Sequence, residues 1–222
     1  GVIVTGKHIV KNFSINSLYS NEKENIQHIK LIYDKGKKII EKNGKRIHDR
    51  KELVNTIPCV LFCHSDMEFA TGDPECRRFF IDQSLTLYDS LYIDDLRNYK
   101  KILKSRNLIL KSHQYEMLDV YDNQLAQQGL IIQEKRKKAI FLFNQIFGKI
   151  YAEITGIEGL TIHYGTSWKS ENEKITYEEI LKILESKREQ DKTFETTMSG
   201  PHRDRINFVL ENKSHQMSED FS

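Results

Sequence analysis

Hydrophobic and polar residues change their rhythm three times along the chain. Across Ile26–Asp34, Ile29, Leu31 and Tyr33 alternate with polar neighbours, and Val2-Ile3-Val4-Thr5 is a β-branched run. The patterning predicts strands near 2–13, 26–34, 37–42 and 45–48, and then a buried strand at Cys59–Cys63 after Pro58. Asp34-Lys35-Gly36-Lys37 and Asn43-Gly44 supply the positive-φ positions of tight hairpins. The connections are too short for crossover helices, so the strands form an antiparallel meander.

From residue 73 to residue 155 the period lengthens. Asp73 suits an N-cap and Pro74 the first helical position. Leu96, Leu103 and Leu110 recur at seven, with Tyr92, Tyr99 and Arg106 at companion positions. A second run holds Ile140, Phe147 and Ile154, with Phe143 and Tyr151 beside them. No Gly or Pro interrupts until Gly129, so the spacing predicts two long helices joined near Gly129 as an antiparallel arm. Arg106 on that seam implies a snorkelling or paired cation, with Asp119 or Asp122 as partner. Beyond residue 156, Thr176-x-x-Glu179 is a capping box opening a helix to about Gln190. Thr193–Asp204 reads as a loop, and Ile206–Leu210 as a strand turning at Asn212.

The fold class is therefore α+β, with β-rich residues 1–72, a helical arm at 73–190 and a return to the first part at 191–222. The meander and the 206–222 tail look like parts of one larger sheet, because alone they would expose unpaired edges. The chain begins at Gly1, stops at Ser222 without a cap, and reads as a piece of something longer.

Composition narrows the chemistry. The 222 residues are 38% hydrophobic, enough for a core. No apolar run approaches a membrane span, so a membrane role is disfavoured. Three Cys without framework spacing point to a reducing compartment. Gly1 to Lys7 nearly spells a P-loop, but His8 stands where a hydroxyl is needed and the residues between are strand-formers, so it reads as a strand. Cys59, Cys63 and His64, with Cys76 further on, lack the second ligand pair of a zinc site; the thiols read as small apolar side chains and no metal site is expected. No Ser or Cys sits in a nucleophile elbow, so no catalytic residue is nominated.

Charge is more telling. Six basic residues (Arg97, Lys100, Lys101, Lys104, Arg106 and Lys111) occupy a stretch without Asp or Glu, and Lys135-Arg136-Lys137-Lys138 adds four. Such runs neutralise phosphates and release counterions, giving salt-sensitive nucleic-acid affinity, unless they are merely solvated helix faces. Lys100, Lys101, Lys104 and Lys111 are the candidate phosphate contacts, and Arg77-Arg78 could extend the patch.

Four motifs then occur in order. Val60-Leu-Phe-Cys-His-Ser-Asp66 precedes Gly72-Asp-Pro74-Glu-Cys-Arg77-Arg78-Phe-Phe-Ile-Asp82. Tyr99-Lys-Lys-Ile-Leu-Lys-Ser-Arg106-Asn107 and Asp119-Val-Tyr-Asp122-Asn-Gln-Leu-Ala follow, then Thr197-Met-Ser-Gly200-Pro201-His202-Arg203-Asp204. Together they resemble the RecF family of bacterial DNA repair proteins. The resemblance implies an ABC/SMC/Rad50-type ATPase head, to which the meander would belong, carrying an inserted helical arm. It implies binding of DNA and, in the intact parent, of ATP with Mg²⁺, and an ATP-dependent homodimer. RecO and RecR are the implied partners, loading RecA onto gapped DNA and supporting SOS induction in the bacterial cytoplasm, at the nucleoid. The family's P-loop, signature and Walker B segments are absent from this sequence, so the piece itself should neither bind nor hydrolyse ATP. His64 and Ser65 depart from the family's Pro-Glu, and Arg205 from its second Asp. Asp66, Arg77, Arg78, Asp82, Arg106 and Asn107 match family motifs; Arg77, Arg78, Asp82 and Asn107 are expected to tie the arm to the head. His202, Arg203 and Asp204 are expected to do functional work, because a Gly-Pro loop presents polar groups without burying them. The other reading is an autonomous, non-enzymatic helical module that binds DNA or a protein.

Overall fold

A computed structural model describes residues 12–20, 26–54, 68–170 and 174–210. The chain divides into two compact units, Gly1–Val60 and Leu61–Ser222. The first holds β1 (Asn12–Ser20), β2 (Ile26–Asp34), β3 (Lys37–Lys42), β4 (Lys45–Ile47) and α1 (Arg50–Val54). The strands pair antiparallel in the order β1-β2-β3-β4, so the meander is present; the strand expected near 2–13 lies outside the described residues except for Asn12 and Phe13, which belong to β1. Both tight hairpins form where expected. Lys35 and Gly36 take φ of 48° and 80°, and Asn43 and Gly44 take 49° and 76°. Asn43 ties its turn to β2: its amide donates to His28 O and its side chain accepts from His28 N, both at 2.7 Å. The expected strand at Cys59–Cys63 lies outside the described residues, as do His64, Ser65 and Asp66.

The second unit holds α2 (Glu68–Thr71), α3 (Pro74–Tyr88), α4 (Tyr92–Ser112), α5 (Leu118–Thr155), β5 (Leu160–Gly165), α6 (Tyr177–Phe194) and β6 (Arg205–Leu210). Pro74 opens α3 as expected, but the Asp73 side chain makes no capping bond. The antiparallel helical pair exists, yet its turn is not at Gly129. It lies at His113, in left-handed conformation, and the 3₁₀ turn Tyr115–Met117. α5 then runs unbroken for 38 residues, roughly 57 Å at 1.5 Å per residue. Gly129 sits inside it for a packing reason: a Cβ there would lie 2.5 Å from the Trp168 ring. The apolar seam also ends early. Ile140 is buried and Phe147 packs on the core, but Ile154 is 79% exposed.

Trp168, Ile81, Tyr92, Tyr99, Leu125, Ile132, Ile162, Ile180, Leu184 and Ile206 form one core among α3, α4, α5, α6 and the two-stranded β5–β6 sheet. The capping box of α6 is complete, Thr176 Oγ1 accepting from Glu179 N and Glu179 Oε2 from Thr176 N. β6 pairs antiparallel with β5, a strand the sequence pattern does not announce; among the described residues it joins no strand of the meander. α5 approaches β5 closely at Gly148, where a Cβ would meet Leu160 O at 2.7 Å. One turn earlier, Asn144 pairs with the backbone of β5, its Nδ2 donating to Ile162 O and its Oδ1 accepting from Ile162 N, both 2.8 Å. None of the described helices is long and apolar enough to cross a membrane.

Candidate nucleic-acid interface and the buried ion network behind it

Arg106 is one of the least exposed side chains of the protein, at 0%. A cation there is tolerable only if it is paired and hydrogen-bonded. Its Nε donates to Asp122 Oδ1 at 2.6 Å, and its Nη1 to Asp191 Oδ2 at 2.7 Å and Thr197 Oγ1 at 2.9 Å. Asp122 is one of the two partners the spacing offers; Asp191, on α6, is not. Asp119 is engaged instead by Arg188, whose Nε also donates to Asp122 Oδ2 at 2.8 Å. Burial pushes the Asp191 carboxyl above its usual range, against the opposing pull of Arg106 and of Met198 N, which donates to Asp191 Oδ1 at 2.8 Å. Asn107, next on α4, accepts from Thr197 N at 2.9 Å and from Thr197 Oγ1 at 2.6 Å.

A second buried pair lies across α3 and α5. Arg136 grips Asp82 with two bonds, Nε to Oδ1 at 2.8 Å and Nη2 to Oδ2 at 2.9 Å. Its Nη1 donates to Pro201 O at 2.6 Å, and Tyr92 donates to Asp82 Oδ1 at 2.6 Å. Burial alone would lower the guanidinium, but the Asp82 carboxylate holds it well above its ordinary value. Burial raises the Tyr92 phenol. This corrects the reading of Lys135–Lys138 as one basic run: Arg136 points into the core, and Lys135 bridges Asp89 at 2.8 Å and Asp95 at 2.7 Å.

The loop from Glu195 to Asp204 is sewn to both pairs. Gly200 has φ of +128°, and a Cβ on it would sit 2.8 Å from Tyr99 Oη and 3.2 Å from Trp168, so only glycine fits. Ser167 accepts from Gly200 N at 2.6 Å, and Trp168 donates to Ser199 Oγ at 3.2 Å. Pro201 is buried. The expectation that this loop displays its polar groups fails for Asp204, which is 0% exposed. Its carboxylate accepts from Ser167 N at 2.7 Å, from Gln133 Nε2 at 3.3 Å and from Tyr164 Oη. His202 is mostly covered. Its Nε2 faces Thr197 O at 2.9 Å and so carries the proton, leaving Nδ1 to accept from Tyr99 Oη at 2.7 Å. Burial, with three arginines near, lowers its pKa to about 4. Arg203 is the exposed member, turning back to Thr197 O at 3.3 Å.

Arg77 and Arg78 do not extend a basic surface. Arg78 Nη1 donates to Asp204 O at 2.8 Å, and burial lowers its pKa. Arg77 Nη1 donates to Ile206 O and Asn207 Oδ1, both 3.2 Å, and Nη2 to Ala70 O at 3.3 Å. Four buried carboxylates (Asp82, Asp122, Asp191 and Asp204) thus meet two fully buried guanidinium groups, with Arg78 and Arg188 reaching in from the surface.

The candidate lysines lie on the solvent face of α4, and all four are exposed. Lys100, Lys104 and Lys111 line one groove of about 480 Å³ with Leu103, Ser105, Asn107 and Leu108; no acidic residue lines it, and Lys101 is not in it. Among the described residues none of the four lysines has an ion-pair partner. Asn107 also lines the groove, its side-chain oxygen accepting from Thr197 N and Oγ1. Four-residue and seven-residue steps bring Lys100, Lys104 and Lys111 to one helical face, the signal by which the sequence could have separated them from Lys101. No group of three or more metal-ligating side chains is found among the described residues.

No family model matches the chain. It is 40% identical over 181 residues to the DNA replication and repair protein RecF of Treponema pallidum (strain Nichols), an alignment covering 82% of this chain and 50% of that relative. With the protein of that name from Clostridium perfringens (strain SM101 / Type A) it shares 38% over 181 residues, 80% of this chain and 49% of the relative. The chain therefore spans about half the length of the curated relatives it matches. Among solved structures it superposes on the recombination mediator protein RecF-ATP of the RecFOR pathway with a TM-score of 0.81, at 24% identity, over 92% of this chain and 57% of that one. The ATPγS form of that mediator gives 0.79, at 25% identity, over 91% and 57%.

Proposed function

The chain belongs to the RecF family, being homologous to curated members over some four-fifths of its length, and from that premise we propose that it forms part of a DNA-binding recombination mediator. The observation that carries the reading is the groove on α4, where Lys100, Lys104 and Lys111 converge without an acidic neighbour. Ammonium groups spaced along a helix track the phosphates of a duplex or strand and displace its counterions, giving affinity without sequence preference. The buried Arg106 network holds the helix at that face, so the groove is presented by a rigid element.

In the intact protein the same reading extends to action with RecO and RecR in loading RecA at single-stranded gaps, in support of repair and the SOS response. It also extends to an ATP-dependent homodimer working in the bacterial cytoplasm at the nucleoid. Its support is the naming of the relatives and of the superposing structures. Among the described residues there is no glycine loop of the P-loop kind and no cluster of metal-ligating side chains to hold ATP with Mg²⁺.

Fluorescence-anisotropy titration of labelled duplex, between roughly 50 and 200 mM salt, tests the interface. The Lys100→Ala/Lys104→Ala/Lys111→Ala variant should bind more weakly, with a salt slope smaller by about 0.9 for each phosphate that α4 no longer neutralises. Wild-type affinity and slope in that variant would overturn it.

A further inference from the structure

Asn107 lines the α4 groove while bonding inward to Thr197, and its two amide ends do different things. Thr197 N can only donate, so the atom that faces it at 2.9 Å is Oδ1, which fixes the orientation of the amide. Oδ1 takes a second bond from Thr197 Oγ1 at 2.6 Å; that hydroxyl already accepts from Arg106 Nη1 and keeps its one proton for Asn107. Both acceptor sites of the amide are thereby used. Nδ2, with two N–H groups, has no acceptor among the described residues. The buried side-chain polar atoms without a partner, among the described residues, are Arg77 Nε, Arg106 Nη2 and Gln133 Oε1, so Asn107 Nδ2 is accessible to solvent.

Its place on the helix adds a second argument. Lys100, Lys104, Asn107 and Lys111 follow one another at steps of four, three and four residues and so share one face. At 1.5 Å per residue these rungs are about 6, 4.5 and 6 Å apart, and without Asn107 a gap of about 10.5 Å would separate Lys104 from Lys111. We propose that Asn107 is the fourth phosphate-binding residue of the groove, its Nδ2 donating to a backbone phosphate oxygen of bound nucleic acid while its Oδ1 stays on Thr197. The proposal rests on the DNA-binding reading of the groove. Lysine ammonium groups ride on flexible four-carbon stems and supply charge. The Asn107 amide is held by Thr197, which is 0% exposed, and so fixes where along α4 a phosphate sits. Being neutral, it adds affinity without releasing a counterion, and that share of binding does not fall with salt.

The test follows the Asn107 side-chain amide by NMR in the whole chain, as duplex DNA is titrated at roughly 50 mM salt. Its Nδ2 protons should shift saturably, with the same midpoint as the anisotropy titration. Asn107→Asp keeps an oxygen on Thr197 and replaces the donor by an acceptor, so urea unfolding should find its stability near that of the unaltered chain. Its duplex affinity should fall at least about tenfold further than that of Ser105→Asp, which puts the same charge in the same groove; the margin is the worth of one hydrogen bond to a charged group. Equal losses in the two variants would overturn the role of Asn107 and leave the groove standing. So would an unmoved Asn107 amide while the duplex binds with a lysine-dependent salt slope. No duplex binding, or a slope indifferent to Lys100, Lys104 and Lys111, would remove the groove itself and this contact with it.

Discussion

Arg106 and Asp191 stand 85 residues apart in sequence and meet at 2.7 Å in a place where neither is exposed to solvent. Without Asp191, Arg106 keeps one carboxylate, Asp122, whose other oxygen is already engaged by Arg188. Asp191→Ala should destabilise the fold by about 3–5 kcal/mol, the cost of breaking a buried ion pair by removing one partner. Arg106→Met/Asp191→Leu should cost clearly less than the sum of the single changes. Urea unfolding of the three variants measures this, and additive losses would show that the pair is not coupled.

His202 gives the fold a pH dependence. Its neutral Nε2–H form makes both of its bonds, and its pKa of about 4 lies below the ordinary value of 6.5. The unfolded chain therefore binds this proton first as pH falls. The His202 contribution is complete above pH 6.5, is lost progressively between 6.5 and 4, and is constant below 4. Wild-type stability should fall across that window relative to His202→Gln. Histidine ring NMR should find His202 neutral at about pH 5; a midpoint near 6.5 would show the ring open to water.

Replacing a helical glycine by alanine normally stabilises by about 0.5–1 kcal/mol. At Gly129 the sign should reverse, because the new methyl would enter the Trp168 ring. Gly129→Ala should cost roughly 1–3 kcal/mol through overpacking. Trp168 is the protein's one tryptophan, so its fluorescence reports the disturbance directly. A stabilised variant with an unchanged emission maximum would contradict the packing.

Lys101 separates a groove from a general basic surface. It neighbours Lys100 in sequence but does not line the groove with Lys104 and Lys111. Lys104→Ala should weaken duplex binding and lower the salt slope by about 0.9, whereas Lys101→Ala should change the slope by much less. Equal effects would mean that DNA feels only total charge.

The parts of the fold legible in the sequence are those with a local signal. Lys35-Gly36 and Asn43-Gly44 announce their turns through backbone sterics, and Thr176 with Glu179 announces its helix start. The turn at His113 escapes the pattern because it uses a left-handed non-glycine residue, while Gly129 advertises a break that tertiary packing does not need. Arg136 reads as surface because its neighbours are lysines. Gly129, Ile132, Gln133 and Ile140 on the same face are the counter-signal. The partnerships of Arg106 with Asp191 and of Asp204 with Tyr164 join distant segments, and no periodicity encodes them.

The pairing of Asn144 with Ile162 has a consequence for how β5–β6 meets other chains. Because the N–H and C=O of Ile162 both turn toward α5, Ile162–Phe208 is a non-hydrogen-bonded pair, and by alternation so is Tyr164–Ile206. Ile206 O therefore faces the outer side of β6, where Arg77 of α3 takes it. A helix-borne side chain thus occupies each margin of the two-stranded sheet. An incoming extended peptide would have to displace Asn144 on one side or Arg77 on the other before adding a rung to the ladder. The β5–β6 sheet is closed to strand-templated recruitment and self-association at those positions, and its encounters are left to side chains and helix faces.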